Sequence, residues 1–360
     1  MTGRGIDQIL PYPGDATLWE QHVRDARTYV RMAEEAHGPI PRPVALSWPW
    51  GDALPVLELA RPDVRIINLE TSITARGTPA AGKAVHYRMN PANTGCLTTT
   101  RPDVCALANN HVLDFGPDGL TDTLTALATA GISAAGAGLR ADHAADPVVV
   151  PVSGDRRVVV LSAGTRSSGI PPQWAATGDR PGINLLHDLS SRTALDLAQR
   201  VRQVKRPGDI AVLSVHWGAN WGYQVPVDQM HFAHYLIDQG VDVIHGHSSH
   251  HPRAIELYHE RLILYGCGDF VDDYEGIGGH EVYRDDLRLA YLAALDPGGR
   301  LERVTMVPFQ ARRLRLQHAS SPDVQYLREL LDRISRPFRT RVEVVDDHAL
   351  GTPTIEVAPR

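Results

Sequence analysis

Five times along its 360 residues this chain repeats one unit: a turn, usually with Pro or Gly beside Asp, then a short β-branched apolar run that breaks off abruptly in polar residues. The units are RPDVRIINLET (61–71), RPDVCALANNHVLD (101–114), RPGDIAVLSVHWGANW (206–221), QGVDVIHGHSSHH (239–251) and ERLILYGCGDF (260–270). Runs of this length and branching predict buried strands. Helical patterns lie between several of them. Residues 116–131 carry Leu120, Leu124 and Leu127 before a glycine stop, and residues 227–240 carry Phe232, Tyr235 and Leu236 before another. Strands alternating with helices predict βαβ units and an α/β fold. In such sheets the chain leaves the core at the carboxyl ends of the strands, and ligands gather there.

Those ends are where the chemistry sits. They carry Asn68 and Glu70, then Asn109, Asn110 and His111, then His216, then His245, His247, His250 and His251. Imidazole, carboxylate and amide oxygen suit Zn, Mn, Fe or Ni, and no thiolate stands at any of these ends, which argues against a structural zinc site. A lone histidine is more often structural than a ligand, and four within residues 245–251 also fit a plain polar loop. The constellation at successive strand ends is what points to a catalytic metal centre. Two divalent ions fit better than one, because a carboxylate such as Glu70 can bridge them while His and Asn side chains hold each from its own side. A pair of that kind suits phosphoester chemistry. His111, beside Asn110, is better placed to protonate a leaving group than to bind metal. Asp114 has two readings: it fixes the tautomer of His111, or it is a helix-start acid.

Composition excludes several classes. A net charge of −6 and an isoelectric point near 6.3 give no general pull toward nucleic acid or anionic membrane. The three cysteines, Cys96, Cys105 and Cys267, form neither a disulfide framework nor a metal knuckle, which favours a reducing compartment. No run reaches the roughly 18 apolar residues of a membrane helix, and no leader precedes an apolar stretch. The expectation is a cytoplasmic chain without a membrane segment, unless a leader precedes Met1. Residues 36–50 and 164–182 read as long ordered loops. From 312 the pattern becomes strand, helix starting near Ser321, and strand at RVEVV, so the expected division is a main domain over 1–311 and an appendage over 312–360.

INLETSIT, LANNHVLDFG, SVHWG, HGHSSHHPRAIE and LILYGCGDF together resemble the motifs of the bacterial capsule-synthesis (CapA, poly-γ-glutamate synthesis) family, which is similar to calcineurin-like metallophosphoesterases. The resemblance runs from residue 1 to about 310. It implies a four-layer α/β/β/α metallophosphatase-like sandwich, with Glu70 as bridging acid, Asn110, His216, His247 and His250 as metal ligands and His111 as general acid. It also implies a first strand ending in a metal-binding Asp, two residues before Met1, so that Met1 reads as an internal start and one strand is missing. The family commonly has GHHPH where this chain has GHSSHH, which keeps the spacing of His247 to His250 and makes Ser248 and Ser249 departures. On this view Arg4 faces the site from the first turn and holds an anionic substrate group. Lys83, His86, Tyr87 and Arg88 in GKAVHYRMNP form a second candidate substrate surface, with His86 and Arg88 on one side of an extended stretch and Tyr87 on the other. Asn220 is a further candidate contact, and Trp217, Trp221 and Tyr223 either wall a pocket or simply pack. The implied activity is phosphomonoester or phosphodiester hydrolysis of an anionic small molecule or polymer. The alternative is an amide-acting or non-catalytic accessory protein of poly-γ-glutamate assembly.

Overall fold

The expected alternation produces parallel sheets. In the computed structural model, which describes residues 1–346 and 349–352, strands Ile66–Asn68, Val104–Ala106 and Ser133–Ala135 pair in that order, all parallel. Helix Gly116–Thr129 connects the second to the third and buries Leu120 and Leu127, two of the leucines that predicted it. A larger sheet runs Leu185–Leu186, Arg157–Thr165, Ile210–His216, Val243–His247, Arg261–Leu264, Ile255–Tyr258, with Val148–Pro151 antiparallel against Arg157–Thr165. Its first five strands are parallel, and Ile255–Tyr258 returns antiparallel.

Alternation along the central strand explains how this sheet is covered. Ala211, Leu213 and Val215 share a core with Leu197, Val201, Phe232 and Leu236, which come from helices Ser191–Val204 and Val227–Asp238. Val212 and Val243 face the other way, onto a third sheet built on Leu287–Leu295 and Leu301–Ala311. The strand–helix–strand pattern expected after 312 is present as Leu316–His318, Ser321–Ser335 and Glu343–Asp346. Ser320 caps the helix, and the strands extend the same sheet as Leu301–Ala311. Residues 347–348 and 353–360 of that expected appendage lie outside the described residues.

The first two sheets meet through Val104 and Ala135 on one and Val150 and Val160 on the other. Contact is closest at the carboxyl ends. A β-carbon on Gly164 would lie 2.4 Å from the Ala108 carbonyl oxygen, and one on Gly136 2.5 Å from Ser162 Oγ. Only glycine lets the backbones approach this far. Gly164 is also the register partner of His216, so the close approach falls where the polar residues emerge. At the other end of the chain, helix Gly5–Ile9 follows directly on the turn Thr2–Arg4, with Arg4 at φ 53°. Among the described residues no helix is long and apolar enough to cross a membrane. The architecture is mixed α/β with several sheets.

Candidate functional site

Asn109 shapes the first wall of the site without facing it. Fully buried, it donates from Nδ2 to Asn68 Oδ1 (3.0 Å) and to the Leu69 carbonyl (2.9 Å), and its Oδ1 accepts from the amides of His111 and Val112 (3.1 Å each). This locks the turn after Val104–Ala106 and presents Asn110 and His111. Asn68 in turn donates to Glu70 Oε2 at 2.7 Å. His111 Nδ1 lies 2.6 Å from Asp114 Oδ2, which also accepts from the Tyr87 amide at 2.7 Å. Asp114 therefore orients the imidazole and favours the tautomer with Nδ1–H, leaving Nε2 to the cavity that His111 lines. Lys83 completes the group, with Nζ on Asp114 Oδ1, on the Asn110 carbonyl and 3.3 Å from His111 Nδ1.

The second wall comes from the larger sheet. In-register pairing of His216 with His247 and of Ser214 with His245 stacks these side chains on adjacent strands. Their ring nitrogens bond to one another: His216 Nδ1 lies 2.8 Å from His247 Nδ1, and Ser214 Oγ is 2.9 Å from both His247 Nε2 and His245 Nδ1. His216 Nε2 then reaches Asn110 Oδ1 at 3.1 Å and Glu70 Oε1 at 3.9 Å, joining the two sheets. His250 is held separately. Its Nδ1 lies 2.9 Å from Asp269 Oδ2, its Nε2 lies 3.0 Å from Asn220 Nδ2, and its amide donates to the Asn220 carbonyl. Ser248, between the two histidines, has φ 116°, a conformation costly for a residue with a β-carbon. The walls enclose a cavity of about 320 Å³ lined by Glu70, Lys83, Asn110, His111, Asn220 and His250 among others.

Electrostatics differ sharply across this space. Burial alone would raise the Glu70 carboxyl, but His216, His111 and His250 outweigh it and hold the group below the usual range. Burial pushes His216 and His245 down to about 4. His250 goes the other way: burial opposes its charge, yet Asp269 and Glu70 lift it to about 9. His111 is lowered by burial, only partly offset by Asp114.

Five of the expected site residues, Glu70, Asn110, His111, His216 and His250, are thus brought together, with Asp114 behind them and Asn220 on the cavity wall. Others are placed elsewhere. Arg4, expected to face substrate, is 3% exposed and spends its guanidinium on Asp273 (2.6 and 2.8 Å) and Glu20 (2.9 Å), stacked 3.6 Å over Tyr29. The alternation at 86–88 holds, but the member that meets a site residue is Tyr87, in a T-shaped pair with His111 whose ring centroids are 4.6 Å apart. His86 turns to Trp19 and Phe115, and Arg88 to Asp15 and Phe115. His247 meets Nδ1 of His216, the nitrogen opposite the one that reaches Asn110 and Glu70, and its own Nε2 lies on Ser214 Oγ. Sequence reasoning left out Asp269, the partner of His250, and Tyr274, which packs edge-on against His250 and bonds Tyr87 Oη at 2.8 Å. Asp269 stands in the quoted LILYGCGDF unit, at the end of the strand next to the histidine strand.

Among the described residues no three His, Cys, Asp or Glu side chains gather as a ready cation site. The donor set nonetheless fits one divalent ion once the amide oxygen is counted: an amide oxygen (Asn110 Oδ1) and a carboxylate (Glu70 Oε1) lie 3.1 and 3.9 Å from the imidazole nitrogen His216 Nε2. His250, backed by Asp269, has the carboxylate-supported form common among metal-binding histidines.

An α/β protein with an acid–base pair and a mixed oxygen–nitrogen donor set at its strand ends defines a class, and comparison narrows it. Residues 1–274 match the family described as bacterial capsule synthesis protein PGA_cap, and the chain belongs to that family. It is 55% identical over 352 residues to a probable polyglutamine synthesis accessory protein of Mycobacterium tuberculosis, covering 97% of this chain and 93% of that one. It is 28% identical over 236 residues to the PGA biosynthesis protein CapA of Bacillus subtilis, covering 65% of this chain and 59% of the relative. A capsule biosynthesis protein CapA of Bacillus anthracis matches at 28% over 198 residues, 54% of this chain and 46% of the relative.

Proposed function

We propose that this chain is a metal-dependent hydrolase that cleaves a phosphoester of an anionic substrate, working alongside the poly-glutamate synthesis for which its relatives are named. The observation that carries this reading is the meeting of Glu70, Asn110 and His216 from two different sheets beside an imidazole held by a buried carboxylate. The packing of the three-stranded on the seven-stranded sheet, with helices outside, supports a four-layer α/β/β/α sandwich of the metallophosphatase kind. Glu70, Asn110 and His216 would hold a divalent cation, with His250 the next candidate, and a second ion would need ligands beyond this set. A bound divalent ion supplies a hydroxide at neutral pH and offsets charge on the phosphoryl oxygens. His111, aligned by Asp114 with its proton on Nδ1, presents a bare Nε2 that would take the proton released by the attacking water and hand it to the leaving oxygen. Lys83 places a cation at the same wall and supports an anionic substrate.

A second reading has its own support. The ring nitrogens of His216, His247 and His250 all have partners inside the protein, and a relative is named an accessory protein. On that reading the cavity binds and does not cleave. Elemental analysis together with hydrolysis of an aryl phosphodiester separates the two. Glu70→Gln is expected to lose both metal and turnover, whereas His111→Ala keeps the metal and loses about 10²–10⁴ in turnover. Equal metal loss in both variants would sink the role given to His111. A wild-type chain with neither metal nor turnover would put the accessory reading first.

A further inference from the structure

Arg253 lies just past the histidine loop and is 3% exposed. Its Nη2 donates to the Ala219 carbonyl at 2.7 Å, while Nε is buried without a hydrogen-bond partner. Among the described residues no carboxylate pairs with it. Burial pushes the guanidinium below the ordinary arginine range, and only the Tyr283 phenol acts against that. The stem rests on the bare face of Gly266, 3.1 Å from where a β-carbon would stand. Gln229, 2% exposed, lies beside it, with Oε1 also buried and unpartnered. The two side chains converge on Gly218, at φ 78°, where a β-carbon would lie 2.6 Å from Gln229 Nε2 and 3.3 Å from Arg253 Nη1. Either orientation of the Gln229 amide leaves the guanidinium without a counter-charge. An isolated buried cation is strongly unfavourable unless something neutralises it. The other two most buried arginines, Arg4 and Arg288, are both paired with aspartates.

We infer that Arg253, with Gln229, is an oxyanion-binding subsite that receives a carboxylate or phosphate group of an acidic ligand. Its position relates it to the main cavity. Ala219, which Arg253 holds, precedes Asn220, whose side chain and carbonyl both contact His250. The subsite therefore lies beside the cavity wall, one residue along the chain from Asn220. The inference does not need the cavity to be catalytic, and its test reads binding alone.

The test is thermal unfolding of the full chain titrated with inorganic phosphate and, separately, with glutarate, at ionic strength matched with chloride. One or both anions are expected to raise the melting temperature of the wild type, and which one does so identifies the group. Arg253→Met is expected to weaken that effect about 10–100-fold, the scale of a lost charge-assisted hydrogen bond, without lowering the melting temperature of the anion-free protein. Gln229→Leu provides a second variant that keeps the arginine, with a smaller loss in the same direction. An unchanged anion response in Arg253→Met, or no response of the wild type to either anion, overturns the proposal. So does a destabilised anion-free Arg253→Met, because the arginine would then be structural.

Discussion

The N-terminal turn and the loop after the histidine cluster each bury one arginine to the same extent, 3% exposed, yet they solve the problem of its charge in opposite ways. Arg4 is enclosed by Asp273 and Glu20 and stacked between Tyr29 and Tyr87. Arg253 has one carbonyl and a neutral amide for neighbours. The contrast shows that burial alone does not define a residue's role here. The charge of Arg4 is matched by carboxylates within the protein, and that of Arg253 is not. Arg4 thus fixes the first turn to the segment after Asp272.

The largest effect that would break this comparison is on stability. Arg4→Met strands two buried carboxylates, and removal of one partner from a buried pair costs about 3–5 kcal/mol. Urea denaturation should register that loss, and an unchanged midpoint would mean that Arg4 and Arg253 are equivalent after all. A paired charge at the cavity sharpens the contrast next. Asp269→Asn keeps an acceptor for His250 but removes its counter-charge, and should weaken metal affinity or turnover about 10–100-fold, as is usual for outer partners of a ligand histidine. Isothermal titration with Mn²⁺ on the variant checks this, and wild-type affinity would remove Asp269 from the site. A smaller effect is expected far from the cavity. Burial alone would raise Asp332, but Arg341, the Val342 amide and Arg336 hold it at about 2. Its folded value lies below the unfolded value of about 3.9, so its stabilisation is complete above about pH 4 and is lost as the pH falls toward 2. Asp332→Asn should flatten the acid limb of the stability curve over that window, and an identical limb in the variant would rule the pair out. Arg253→Met closes the series with no loss of anion-free stability.

The strand-end residues were legible because a buried strand advertises its exit: an apolar run stops, and whatever follows must meet solvent or a ligand. Glu70, Asn110, His111, His216 and His250 all announce themselves that way. Strand Arg157–Thr165, beside Ile210–His216 in the larger sheet, went unmarked because it ends in Ala163, Gly164 and Thr165, which carry no such chemistry. The alternation of His86, Tyr87 and Arg88 could be read, but which side faced inward could not, since that depends on Trp19 and Phe115 arriving from other segments. The pairing of Arg4 with Asp273 spans 269 residues and leaves no local trace. His247 has the right spacing for a ligand, and only the register of its strand against Ile210–His216 turns its ring into a partner for His216 and Ser214.

Asn110 and His216 are 106 residues apart in the chain and come from different sheets. They touch because the layers are pressed together where Gly164 and Gly136 present bare backbone. The reactive spacing is therefore a thickness, set like the gap of a gauge by what is missing between two plates. The turn that Asn109 locks completes that distance on one side. Loss of interlayer fit and loss of the site are, for this protein, one event.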